Sequence, residues 1–389
     1  MRRVPWSGMR RIVGIALVAS VASLVLAGTA AAAVPPGPRL TFLAAEYLIR
    51  EGKPPAVKPK FRVSARLVST DAGGGDPRPL LRGSGVQSLG PVASWSADGS
   101  EFAFCGKVGA SASAEQRIYI ATADGAGARA IPGTTGASDP VLSPDGSLLA
   151  YSVTHEHQPK LNLKKLRKLK NPKAFLKHLK SILRALEHGY ISTTTWIVST
   201  AGGKPRRLTE WDNRLYSVPS SISPDDSSLA VTVQRTGATP KVVAIDPVTG
   251  KARLLEANSA EAAYSPDGSR IAFATYRDHQ SVDSFDAPVP VSELYVAAAD
   301  GTGAVRITHT PHAQEDAPSW DPGGTTLAYS RSPGGGLGVL EQRIFESNAD
   351  GTCPRPIAVP PLRHKGWEVL IGHPTWVPGE GRAAGSLSC

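Results

Sequence analysis

The amino-acid sequence predicts an all-β protein, a six-bladed β-propeller. Two observations carry this prediction: a tight turn that recurs six times, and a strand pattern that follows the turn. The turn reads Ser-Pro-Asp-Gly or a variant of it, and its copies begin at Ser96, Ser143, Ser223, Ser265, Asp321 and Val377. Proline presets φ at the second position, aspartate bonds its own backbone, and glycine accepts the strained fourth position. A unit that recurs in this way indicates a structural repeat.

The strand pattern after the turn consists of a large residue, an alanine and a second large residue. The alanines form one column, at Ala103, Ala150, Ala230, Ala272 and Ala328. Alternation at period two predicts a strand buried on both faces, with a small face that lets a neighbouring sheet approach closely. A third strand, a second turn and a short fourth strand follow in the repeat. Four antiparallel strands make one propeller blade.

The sixth repeat is split between the two ends of the sequence. No good strand pattern follows Trp376, but patterns that match strands two, three and four occur at residues 39–42, 65–68 and 79–81. A propeller closed by N- and C-terminal strands has no exposed sheet edge at the junction. We therefore expect one propeller domain over residues 34–389, with no separate domain ahead of it.

Residues 1–33 have the features of a secretory signal peptide. Four arginines precede an apolar run at residues 12–26, and Ala31-Ala32-Ala33 forms a small-residue cleavage site. The run is shorter than the roughly twenty residues of a membrane span. We expect an exported protein that is periplasmic, on the cell surface or extracellular.

Residues 155–190 interrupt the strand pattern with a basic segment that predicts an α-helical hairpin insertion. Asn171-Pro172 is a good helix start, and apolar residues follow at helical spacing. This segment carries a formal charge of +8 and residues 1–33 carry +4; the whole chain carries +10, so the propeller body is near −2. Its cations include Lys164, Lys168, Lys173, Lys177, Lys180 and Arg184. The hairpin either contacts an anionic polymer or membrane surface, or packs its leucines on the propeller and leaves its lysines in water.

Three cysteines allow at most one disulfide. Cys105 lies in an apolar strand pattern and is expected to be a buried thiol. If a bridge forms, we expect it between Cys353 and Cys389.

The repeat pattern, P-x-W-S-P-D-G, I-A-F, I-Y-V, D-G and L-T, resembles the TolB-like (WD40-like) propeller repeat over residues 37–380. The resemblance implies the fold and, by analogy with TolB, a periplasmic protein that binds envelope partners. TolB carries a smaller α/β domain ahead of its propeller, which has no counterpart in this sequence, so its translocation role is not carried over. Similar repeats also form the propeller of some serine peptidases, but no G-x-S-x-G elbow is present. We therefore expect no catalytic residues, no cofactor and no metal.

The long-loop face of the propeller is the predicted site. The turns between strands one and two are uniformly short, whereas the loops between strands two and three are long, and long loops on a rigid scaffold commonly carry function. Candidate binding residues at the channel mouth on that face are Asp139, Glu261, Asp316 and His373, with His309, His312 and Glu315 nearby. An acidic rim could hold a cation or a basic peptide. Alternatively, the aspartates only bond loop backbone.

Two classes of function follow from these observations. The first is a non-catalytic binding protein that engages an envelope or secreted protein, or an anionic polymer, through its long-loop face. The alternative is a metal-dependent lyase or lactonase that acts on a sugar with Glu261, Asp316 and His373. The basic hairpin could also give sequence-blind affinity for nucleic acid. Because export places the protein away from most nucleic acid, we expect no specific nucleic-acid partner.

Overall fold

The computed structural model describes residues 39–50, 60–81, 86–108, 115–156, 191–210, 212, 214–282, 288–333, 342–358, 368–378 and 386–389. These ranges contain twenty-six β-strands and no helix. The predicted signal peptide, and the predicted helical hairpin apart from its first two residues, lie outside the described residues.

Six four-stranded antiparallel sheets make up the fold, and in each blade the first strand named is the innermost. Blade one contains β4 (Val86–Trp95), β5 (Glu101–Val108), β6 (Arg117–Thr122) and β7 (Arg129–Ala130). Blade two contains β8 (Ala137–Leu142), β9 (Leu148–Glu156), β10 (Ile191–Ser199) and β11 (Arg206–Arg207). Blade three contains β12 (Leu215–Ile222), β13 (Leu229–Arg235), β14 (Lys241–Ile245) and β15 (Ala252–Ala257).

The remaining sheets follow the same plan, with one addition in blade four. That blade contains β16 (Ser259–Tyr264), β17 (Arg270–Thr275), β20 (Glu293–Ala298) and β21 (Val305–Arg306), and the two-stranded sheet β18 (Ser281–Val282) and β19 (Val289–Pro290) lies between β17 and β20 in the chain. Blade five contains β22 (Ala313–Trp320), β23 (Thr326–Pro333), β24 (Arg343–Asn348) and β25 (Arg355–Pro356). Blade six contains β26 (Glu368–Trp376), β1 (Arg39–Arg50), β2 (Lys60–Asp71) and β3 (Arg78–Pro79). The predicted all-β six-bladed propeller is therefore confirmed.

Blade six combines strands from distant parts of the sequence. The inner strand β26 pairs antiparallel with β1, so that Trp376 lies opposite Leu40. Blade six also contacts blade one, because the indole N–H of Trp95 donates a hydrogen bond to the hydroxyl of Thr41 at 3.1 Å.

The core lies between neighbouring sheets and follows the repeat columns. All five alanines of the predicted small column are fully buried. Thr41 takes the alanine position in blade six and is also fully buried. Its hydroxyl remains satisfied because it accepts from Trp95 and donates to the carbonyl oxygen of Thr375 at 3.0 Å.

In blades one to four, the turn between strands one and two is held by a serine–aspartate hydrogen bond. The Ser96 hydroxyl donates to Asp98 at 2.6 Å, and Ser265 donates to Asp267 at 2.5 Å. These serine hydrogen bonds lower the pKa of both carboxyls to about 2. Glycine occupies the fourth position in four of the six copies because the backbone there has positive φ, 69° at Gly99 for example. The serine and aspartate side chains of these turns therefore form hydrogen bonds within the turn itself.

The disulfide prediction is confirmed. Cys353 and Cys389 are bonded, with 5.0 Å between their Cα atoms. Cys105 is a free, buried thiol, and its burial raises its pKa.

Serines of one blade bind the inner strand of the next blade. The backbone N–H of Leu142 in β8 donates to the Ser94 hydroxyl of β4 at 2.8 Å. The N–H groups of Tyr264 and Trp376 donate in the same way to the hydroxyls of Ser221 and Ser319, each at 3.1 Å. These bonds cross from blades one, three and five to blades two, four and six.

We expect Ser94→Ala to lower the free energy of unfolding by about 1–3 kcal/mol, because it leaves a buried strand N–H of Leu142 without a partner. Urea unfolding followed by tryptophan fluorescence measures the change. Thr135→Ala, which removes an exposed hydroxyl of a loop, is the control and should change stability by less than about 0.5 kcal/mol. Equal values for the two variants would show that the inter-blade bond contributes nothing.

Candidate binding site in the central channel

The inner strands surround a central channel of about 820 Å³ whose two mouths differ chemically. On the face of the short turns, the lining includes Ala97, Ser265 and five prolines: Pro144, Pro224, Pro266, Pro322 and Pro378. At the opposite mouth, on the long-loop face, the lining includes Tyr216, Gln234 and Tyr276. Polar recognition chemistry is therefore concentrated at the long-loop mouth.

A β-bulge places the predicted site residues. Each inner strand has a register irregularity against the second strand of its blade. In four of them a residue other than glycine has positive φ: Asp139 (50°), Glu261 (52°), Ala317 (50°) and His373 (52°). Bulges re-aim side chains and their backbone groups. Asp139, Glu261 and His373, three of the residues proposed from the sequence for the mouth, all line the channel.

The bulge also turns a backbone N–H toward the preceding blade. The N–H of Glu261 donates to the Thr232 hydroxyl, and the N–H of His373 donates to the Ser330 hydroxyl, both at 2.9 Å. Ala274 occupies the corresponding position in blade four and has no hydroxyl. In place of the missing hydroxyl, the Glu261 carboxylate accepts the N–H of Ala317 in blade five at 2.7 Å. Glu261 therefore links blade four to blade five while it faces the channel.

Asp139 is held by hydroxyl groups rather than by loop backbone. Its Oδ2 accepts from Ser138 at 2.9 Å and from Ser152 at 2.5 Å. The two hydroxyl oxygens also lie 2.8 Å apart. This carboxylate is fixed in orientation.

Asp316 lies one residue before the bulge position that Asp139, Glu261 and His373 occupy in their own strands. It precedes the bulge residue Ala317, and its carboxyl oxygens accept from the amides of Gln314 at 3.2 Å and Gln342 at 3.4 Å. Burial, and then the negative charge of Glu261, raise the pKa of Asp316 well above its ordinary value. Glu261 and Asp316 therefore form an interacting pair of carboxyl groups from neighbouring blades.

Two tyrosines that the sequence pattern did not predict complete the site. Burial and the charges of Asp139 and Glu261 raise the pKa of Tyr216 to about 12. Burial and the charges of Glu261 and Asp316 raise the pKa of Tyr276 to about 12. The Tyr216 side chain is nevertheless 47% exposed, because it faces the open channel while protein surrounds it. Both tyrosines lie outside the repeat columns, so no periodic signal marks them.

The other residues proposed for the mouth do not share this position. Glu315 is fully buried, where it accepts from Arg331 at 2.8 Å and from the Thr310 hydroxyl. Burial raises its pKa to about 7. Its predicted place at the channel mouth is wrong, because Arg331 of the adjacent strand draws it into the blade. His309 and His312 are exposed residues of the loop before β22.

Glu261, Asp316 and His373 do not form a metal site in the structure. Within the described ranges, no group of three histidine, cysteine, aspartate or glutamate side chains could hold a metal ion. The basic residues of the insertion, from Lys164 to Arg184, lie outside the described residues.

No family model and no curated protein matches this sequence. Among solved structures, TolB from Acinetobacter baumannii is 16% identical with a TM-score of 0.52 over 86% of this chain and 66% of the TolB chain. Hydrazine synthase from Kuenenia stuttgartiensis is 11% identical with a TM-score of 0.55 over 89% of this chain and 47% of its own. A putative TolB from Agrobacterium tumefaciens is 17% identical with a TM-score of 0.49 over 86% of this chain and 99% of its own.

At these identities the first two matches show the fold alone, which is a TolB-like six-bladed propeller. The chain spans slightly less than two thirds of the A. baumannii protein. The activities of the matched proteins have no bearing on this chain beyond its architecture.

We expect Glu261→Gln to lower the pKa of Asp316 by about 1 pH unit, because it removes a nearby like charge while an amide oxygen can still accept the N–H of Ala317. Carbon-13 NMR of the aspartate carboxyls measures this pKa. Folding raises the Asp316 pKa, so its contribution to stability is greatest below 3.8 and falls as the pH rises toward the folded value. Over this pH range, the free energy of unfolding of the Glu261→Gln variant should therefore fall by less than that of the unaltered protein. Glu210→Gln, at an exposed position, is the control. An Asp316 pKa unchanged by Glu261→Gln would contradict the pairing.

Proposed function

We propose that this protein is a non-catalytic binding protein whose channel mouth on the long-loop face receives a positively charged segment of a partner protein. One observation carries the proposal: two carboxyl groups, of Asp139 and Glu261, and two phenol groups, of Tyr216 and Tyr276, line the channel together. The two tyrosines each interact with two carboxyl groups.

This arrangement fits an organic cation for electrostatic and geometric reasons. A lysine or arginine side chain is attracted both by carboxylates and by the face of an aromatic ring, and the attraction is strengthened where protein excludes water. The channel is concave and has a few convergent polar groups, as binding pockets do. At the turn mouth, by contrast, four aspartates are already engaged by serines. The long-loop mouth is therefore the better site for a ligand.

A labelled hexa-arginine peptide is a suitable probe, with binding followed by fluorescence anisotropy at low ionic strength. We expect Glu261→Gln to weaken binding about tenfold, which is close to 1.4 kcal/mol. Asp267→Asn makes the same change of charge at the other mouth and can retain the turn, so it should leave binding nearly unchanged. Equal losses in the two variants would indicate attraction by net charge alone and would contradict a site at the long-loop mouth.

An anionic polymer is the second candidate ligand, and the +8 charge of residues 155–190 favours it. Under this proposal the insertion makes the contact, and replacing Lys164, Lys168, Lys173, Lys177, Lys180 and Arg184 with glutamine should abolish binding of polyglutamate. Each contact removed should also reduce the salt dependence of binding. Full binding by the neutralised protein would rule out the insertion as the contact surface.

Catalysis on a sugar is the alternative from another class. The Glu261–Asp316 pair favours it, because a carboxyl group whose pKa is raised beside a second carboxyl group is a common acid–base arrangement. Release of new reducing ends from a polysaccharide, lost in Glu261→Gln, would support an enzyme. The binding proposal predicts no such release.

We further propose that the protein is exported after cleavage before Val34. The basic, apolar and small-residue segments of residues 1–33 support export. In the part of the chain that the structure describes, no helix is long and apolar enough to cross a membrane. Fractionation and N-terminal sequencing should find a chain that begins at Val34 outside the cytoplasm. A chain that retains Met1 in the cytoplasm would contradict export.

A further inference from the structure

The tail segment 386–389 is attached to blade five by its own set of contacts. Cys389 forms the disulfide with Cys353, which follows the turn after β24. The side-chain amide of Asn348 binds Leu387 twice: its Oδ1 accepts the Leu387 N–H at 2.6 Å, and its Nδ2 donates to the Leu387 carbonyl oxygen at 3.1 Å. Leu387 is buried as a result, with 9% of its surface exposed.

The docking residue Asn348 differs from the residues at the same position in blades one, two and four. The same backbone hydrogen bond from a turn glycine identifies the corresponding residues in blades one, two and four as Thr122, Ser199 and Ala298. None of these has an amide that can accept and donate at once, as an extended backbone partner does. Asn348 itself is buried, so its amide is positioned for the tail rather than for solvent. Asn348 at the turn of blade five therefore binds the backbone of Leu387 in a way that its counterparts cannot.

The inner strand of blade six lies inside the covalent loop that the disulfide closes. Thirty-six positions separate the two cysteines, and β26 falls between them. Hydrogen bonds hold β26 to β1 on one side, and its His373 and Trp376 N–H groups bind serines of blade five on the other. A cross-link around this strand restricts the states that it can reach after leaving the sheet.

We infer that the disulfide and Asn348 form a redox-sensitive latch that keeps β26 in blade six and thereby keeps His373 at the channel. Cys389 is exposed and Cys353 is partly exposed, so an external dithiol can reach the bridge, whereas Cys105 is buried. In thiol–disulfide exchange the dithiol gives two electrons and two protons. Its sulfurs become a disulfide, and Cys353 and Cys389 become thiols. The latch goes beyond the proposed ligand site and does not depend on it.

Hydrogen exchange of the full chain, read by mass spectrometry with and without dithiothreitol, tests the latch. After reduction we expect amides of β26 to exchange on the order of a hundredfold faster, and amides of β13 in blade three to be unchanged. Cys353→Ser with Cys389→Ser should reproduce the reduced state without reductant. Cys105→Ala should respond to dithiothreitol as the unaltered protein does.

Asn348→Ala with the disulfide intact separates the two parts of the latch. We expect faster exchange at Leu387 and a smaller increase in β26 than reduction causes. Alkylation and mass measurement establish that the bridge has been reduced. Unchanged exchange of β26 in the reduced protein would overturn the inference, as would equal acceleration in β26 and β13, because that result means global unfolding.

Discussion

The free edge of the innermost strand is the constraint on which the rest of this structure depends. The inner strand of a blade pairs with the second strand on one side only, so backbone N–H groups on its other side need partners from elsewhere. The protein supplies them from the preceding blade, through hydroxyl groups such as Ser94 and Thr232. Packing of the alanine columns brings the sheets close enough for these bonds to form. The same hydrogen bonds therefore join neighbouring blades and give the inner-strand N–H groups their partners.

The candidate site follows from the same constraint. A bulge in the inner strand turns one N–H sideways and, in blades two, four and six, presents Asp139, Glu261 and His373 to the channel. Where blade four lacks the needed hydroxyl, Glu261 both faces the channel and binds Ala317 of blade five. A residue that joins two blades is held rigidly, and rigid support is what a binding group requires. Glu261 therefore has two roles: it joins blades four and five, and it is a proposed ligand-binding group.

The fold could be predicted because its determinants recur, whereas the site is composed of residues that do not. Six copies of a turn and a buried alanine column specify blades, and local turn chemistry explains each copy. The bulge has no such signal, since Asp139 and Ala317 share a backbone conformation with different side chains. This is why Asp316, chosen for its charge, proved to lie one position away from the bulge. The prediction for Glu315 was wrong because strand register places Arg331 opposite it, and the local sequence around Glu315 does not reveal that pairing.

Site-specific photocrosslinking tests most directly whether the long-loop mouth, rather than the turn mouth, binds the partner. A benzophenone amino acid placed at Tyr216 or at Ala97 samples the long-loop mouth or the turn mouth in cells that produce the protein. We predict a discrete crosslinked partner from position 216 whose yield falls in the Glu261→Gln variant, and none from position 97. A partner crosslinked from position 97 alone would contradict the assignment of the binding face.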